Sequence, residues 1–170
     1  MSTKVALLRV IHNKQRQHRP AGWTASPPLL WALCSQGNLV PYKMNEPQFE
    51  AVTALSSADR SSHFVGKVAD LEQLWAVKNN EGWLVPVTSE ELEYFPVWPH
   101  PEYAQRIADD HFPGHKAVEI SLNEFLSHWW PNCEKDKVKI AVFPNKDWVF
   151  WVMEPQDLAQ CLIEEAEQYE

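Results

Sequence analysis

Glycine is scarce in this chain, with five in 170 residues. Loops that cradle phosphates or oxyanions lean on glycine where backbone must approach a ligand or take a positive φ. No phosphate-binding loop, G-x-S-x-G elbow or dinucleotide fingerprint occurs. Cysteine is equally sparse. Cys34, Cys133 and Cys161 make an odd count without C-x-x-C spacing, which argues against a disulfide framework or a cysteine-rich zinc site and fits a reducing cytoplasm. None of the three has a neighbouring glycine, so a thiol nucleophile would lack its oxyanion turn. Long apolar runs are missing too. The best candidate, residues 29–34, falls far short of the about 20 residues a membrane helix needs, and no secretion signal stands out. The expectation is a cytoplasmic protein without membrane contact.

What the chain does have is an uneven charge. Residues 1–43 carry Lys4, Arg9, Lys14, Arg16, Arg19 and Lys43 and no acidic residue, whereas residues 44–170 hold the other nine basic residues and all 23 acidic ones, a net of −14. The main body should therefore repel nucleic acid and anionic lipid. The change of character near Met44 predicts two parts: a basic arm over 1–43, either loosely attached or an upstream extension, and one domain over 44–170.

Within that domain the periodicity is legible. Asn45 is placed to cap a helix containing Phe49, Val52 and Leu55. Phe64, Val68, Leu71 and Trp75 recur at spacings of four, three and four, the face of a second helix. Leu74 to Val77 and Trp83 to Val87 read as a hairpin around Asn79-Asn80-Glu81-Gly82, and Pro86 pushes the second strand to an edge. Tyr94 to Trp98 is a strand, after which Pro101 suits the first position of a helix with Tyr103 and Ile107 inward. Val118 to Ile120 is a short strand. Ser121 and Glu124 have capping-box spacing ahead of Leu122, Phe125, Leu126 and Trp129, and Pro131 should stop that helix. Val138, Ile140 and Val142 alternate with Lys137, Lys139 and Ala141, an antiparallel strand with one wet face. The turn at 144–147 leads into Trp148 to Met153, apolar on both sides. Pro155 opens a last helix with Leu158, Leu162 and Ala166 or Tyr169 inward. Strands and helices that do not alternate strictly predict an α+β fold, an antiparallel sheet of about five strands with helices packed mainly on one face.

The segments "EGWLVPV", "FPVWPHPEYA", "HWWP", "IAVFPN" and "EPQDLAQCLIEEAEQYE" together resemble a bacterial family known as domain of unknown function 2750, over about residues 44–170. "FPVWPHP" is the most specific element. The resemblance implies a small cytoplasmic α+β domain with no assigned activity and no catalytic residues to carry over. The arm 1–43 lies outside it, and "WVFWV" is more aromatic than the family's usual ending.

Each candidate constellation has a plainer alternative. His111, His115, His128 and Cys133 have zinc-ligand chemistry, but Pro113 and Gly114 break the helix that would align the first two, so no metal is expected. Glu90-Glu91, Asp109-Asp110 and Glu164-Glu165 are sequence neighbours that point apart on a helix, solvated faces rather than acid–base pairs. His100, between two prolines and beside Trp98, could act as a fixed donor or base, but a strand needs a stop there and a helix a cap. The tryptophans suit core packing better than a nucleic-acid platform, because the body is acidic.

One excess remains. Along 148–153, Trp148, Phe150 and Val152 take one side and Val149, Trp151 and Met153 the other. Helices on one face cannot hide both sets. The reading is a non-catalytic protein-binding or regulatory module without cofactor, whose patch with Trp148 and Trp151 meets a protein partner, a second copy or the arm 1–43. The alternative is a small-molecule-binding protein or enzyme with a pocket around Trp98, His100 and Tyr103, extended to Trp130.

Overall fold

The computed structural model describes residues 42–88 and 91–169. The predicted arm falls outside them except for Tyr42 and Lys43. Helix α1, Glu46–Thr53, starts where Asn45 accepts the Gln48 N–H. Leu55, expected on its inner face, lies past its end and is exposed. Helix α2, Ser57–Leu71, buries Phe64 and Val68 as the spacing predicts and stops at Glu72, whose φ is 52°. Trp75 therefore belongs to the following strand, not to the helix.

Strand β1, Gln73–Asn79, turns through residues 80 and 81 into β2, Gly82–Trp83; Asn79 Oδ1 accepts from the Glu81 and Gly82 amides, and Gly82 takes a φ of 144°. Strand β3, Tyr94–Val97, is buried throughout and runs into helix α3, Pro101–His111. Strand β4, Lys116–Ser121, ends at Ser121, whose hydroxyl accepts the Glu124 N–H and so opens α4, Leu122–Glu124.

Pro131 does not stop the helix here. Residues Phe125–Trp129 widen into a π turn in which the Trp130 N–H reaches back to the Phe125 carbonyl, and α5, Trp130–Asp136, continues through the proline. The wider turn accommodates the missing proline N–H, which would otherwise break the ladder. Strand β5, Lys139–Val142, and β6, Trp151–Met153, then lead to α6, Pro155–Ala166, which buries Leu158 and Leu162 and packs Ala166 on the core while Tyr169 stays exposed.

Helix and strand are mixed as expected of an α+β fold, but the single antiparallel sheet is not formed. There are two three-stranded sheets, β2-β1-β4 and β3-β5-β6. The first is antiparallel. In the second, β3 and β5 run parallel, Phe95 beside Ile140 and Val97 beside Val142, while β5 and β6 are antiparallel. Parallel pairing needs a long crossover, which α3, β4 and α5 supply, and parallel strands are typically apolar on both faces. Ala141 and Phe143 are accordingly buried rather than wet. The two sheets meet where Trp75 and Trp98 exchange backbone hydrogen bonds of 2.8 Å.

Candidate functional site

The joint between β3 and α3 brings Trp98, His100 and Tyr103 together, all buried. Trp98 donates its indole N–H to the Pro144 carbonyl at 2.9 Å. His100 caps α3: its Nδ1 accepts the Glu102 N–H at 3.2 Å, which leaves the proton on Nε2 to be donated to the Tyr42 carbonyl at 2.8 Å. Burial lowers the imidazole pKa below its ordinary value, outweighing the Tyr42 carbonyl and Glu102, which both raise it. Both nitrogens are thus bonded to backbone.

Tyr103 lies between Phe49 and Phe143, its ring centroid 5.3 Å and 4.7 Å from theirs. Burial, first, and then Tyr42 and Glu102 push its pKa up. Its hydroxyl leans on that of Tyr42 as donor, yet neither completes a hydrogen bond of ordinary geometry. His63 Nε2 is a third buried polar atom without a partner.

Trp148 is drawn away from the strand to which its sequence assigned it. Its φ of 58° and the 49° of Phe143 are left-handed, which bulky residues adopt only when their surroundings impose it. The constraint is visible. Arg60, fully buried on α2, donates from Nε to the Phe143 carbonyl at 3.1 Å, from Nη2 to the Val149 carbonyl at 2.7 Å, and from Nη1 to the Leu55 carbonyl. Asn145 Oδ1 closes the turn on the Asp147 and Val149 amides. Held at both ends, the loop aims Phe143 at Tyr103 and sinks Trp148 among Trp98, His111 and Phe112. Phe150 is covered by Tyr94, ring centroids 5.5 Å apart.

Two large side chains of the 148–153 segment remain outside. Trp151 is 38% and Val152 39% exposed, and Trp151 is the most exposed of the described tryptophans. Trp151 and Met153 share the face touched by α2, where the Ser61 hydroxyl contacts the Met153 sulfur; Val152 takes the other face. Strand β6 pairs with β5 alone among the described residues, so no strand pairs with its outer edge there. The edge of β4 differs. There Gln105 closes on the backbone, accepting from the Ala117 amide and donating to the His115 carbonyl. Trp130 is elsewhere, half-buried on α5 with its indole N–H on the Leu126 carbonyl, and no ring contact among the described residues joins it to Trp98, His100 or Tyr103.

Comparison with known proteins adds one finding. The sequence profile of a family described as "Protein of unknown function (DUF2750)" matches residues 61–162, more than half of the chain. The chain belongs to that family. No curated protein and no solved structure matches it. The match to DUF2750 runs from α2 into α6 and so takes in Arg60's neighbours, the 143–149 loop and β6.

The four residues with zinc-ligand chemistry are spent separately in this DUF2750 domain. His111 Nε2 meets the Lys146 carbonyl at 2.6 Å, His115 Nδ1 the Phe112 carbonyl at 3.0 Å, and His128 Nδ1 the Ser127 hydroxyl at 2.6 Å. Cys133 is buried, and that burial, helped by Asp136, pushes its thiol up to about 12. No helix among the described residues is long and apolar enough to cross a membrane.

Sequence reading passed over Arg60, Tyr42 and His63. A signal for Arg60 was present: it stands four residues before Phe64 and eight before Val68, on the stripe that α2 buries. An arginine on a buried stripe implies acceptors waiting inside. Tyr42 and His63 carry no comparable mark.

Proposed function

We propose that this domain is a non-catalytic protein-binding module that engages its partner along the free edge of β6. The observation that carries the reading is Trp151 and Val152 standing exposed, one on each face of an edge strand. Natural proteins blunt such edges with charge, proline or a covering element, and β4 follows that practice through Gln105. An apolar edge left open suits strand addition by a partner, whose backbone supplies the missing ladder while alternate side chains supply specificity. Trp at the centre of such a patch is a frequent energetic anchor.

The test is purification of the tagged protein from its source cells at low salt. Wild type should elute in a complex larger than the monomer, and Trp151→Glu should elute as monomer with an unchanged circular dichroism spectrum. Identical elution of the two would overturn the reading.

A second reading, a small polar guest between α2 and α3, has one observation in its favour: the hydroxyls of Tyr42 and Tyr103 and His63 Nε2 are buried without completed hydrogen bonds. Such a guest would have to satisfy them. It would also be lost, with a fall in stability, on removing the Tyr103 hydroxyl.

A further inference from the structure

We infer that the segment added to β6 is an extended, basic one, carrying lysine or arginine on the face that looks along Trp151 and Met153. The inference rests on the β6-edge reading above and specifies the chemistry of its partner. Met153 forms part of a cleft of about 350 Å³ between α2 and α6, with Val65 from α2 and Cys161, Glu164 and Glu165 from α6 around it. Its apolar residues suit the methylene stem of a long side chain, and its carboxylates suit the charged end.

Among the described residues no lysine or arginine lines the cleft to neutralise these carboxylates. Glu164 accepts from the Gln160 amide and Glu165 from the Gln168 amide, both uncharged donors. Beside them the Cys161 thiol is pushed up by burial, then by Glu164 and Asp157.

Alternation along an added strand connects edge and cleft. Residues facing the α2 side run beside Trp151 and Met153 toward the glutamates, where a cation could also lie over the Trp151 ring; residues of the other parity meet Val152. A second copy docking through its folded body fits less well. Residues 44–170 carry a net charge of −14 and would bring their own Glu154, Glu164 and Glu165 against the first.

The experiment is calorimetric titration of the full chain with three blocked six-residue peptides, alternating Lys-Val, Ser-Val and Glu-Val, at low and physiological salt. Lys-Val should bind most tightly and weaken with salt. The double variant Glu164→Gln, Glu165→Gln should weaken it roughly tenfold, the size expected of two partly exposed ion pairs. Trp151→Glu should weaken both Lys-Val and Ser-Val. Equal binding of Lys-Val and Ser-Val, both lost in Trp151→Glu, overturns the basic partner while leaving the edge reading standing. Preference for Glu-Val, or concentration-dependent dimerisation abolished by Trp151→Glu, overturns it in favour of an acidic partner or a second copy. Binding by none of the peptides and no dimer overturns both readings.

Discussion

The buried guanidinium of Arg60 donates to the main-chain carbonyl of Phe143, 83 residues away in sequence. With its bond to the Val149 carbonyl it fastens both ends of the loop that holds two bulky residues at positive φ. A left-handed residue with a side chain costs about 1–2 kcal/mol, so the loop persists because something over-determines it. By placing Phe143 and Trp148 in the core, that fastening decides which rings of the last strand are left outside.

Arg60→Met should accordingly destabilise the domain by about 3 kcal/mol, since one buried and two partly buried carbonyls lose their donor while only the cost of a desolvated charge is recovered. Burial already lowers the Arg60 pKa, outweighing the opposing influence of Asp147. Denaturant unfolding measures the loss, and acrylamide quenching should show Trp148 becoming accessible. Arg60→Lys should restore little, because an ammonium cannot span the same carbonyls.

The capping histidine predicts an acid-sensitive fold. His100 is held neutral with its pKa below the ordinary value of 6.5, and burial, assisted by Lys67, does the same to His63. The unfolded chain takes up protons at about 6.5 while the folded one does not, so stability is complete above that pH and falls as pH drops from there toward the lowered folded values. Thermal melts across pH 5 to 8 should trace this slope. His100→Asn, which can still cap α3 but does not titrate, should reduce the slope to the part that His63 contributes.

Tyr103→Phe discriminates between a structural hydroxyl and a ligand-binding one. Removing a buried hydroxyl that lacks a full hydrogen bond should leave stability within about 1 kcal/mol of wild type, or raise it. A loss above about 2 kcal/mol would favour the polar-guest reading.

Cys133 should be inert in the folded protein. With its thiol pushed up to about 12 and no surface exposure, it should resist iodoacetamide at pH 8 until denaturant is added, as peptide mapping would record.

Local chemistry was legible in the sequence; long-range pairing was not. The Asn79–Gly82 turn, the cap at His100 and the cap at Ser121 formed where turn and capping residues placed them, because each depends on neighbours within a few positions. The parallel register of β3 and β5 joins residues about 45 apart, and no local pattern encodes it. The strand expected from Trp148 was shortened to Trp151–Met153 because Arg60 imposes a left-handed turn that an aromatic residue does not announce. Of the apolar side chains expected on the last strand, Trp148 is buried and Phe150 partly buried, while Trp151 and Val152 are exposed.

The most direct test of the β6 edge is a photo-crosslinking amino acid placed at Val152 in living cells, with Glu81, exposed in the β1–β2 turn of the other sheet, as control. The account predicts a discrete cross-linked protein from position 152, absent from position 81 and lost when Trp151→Glu is added. The same adducts from both positions, or none from 152, would contradict it.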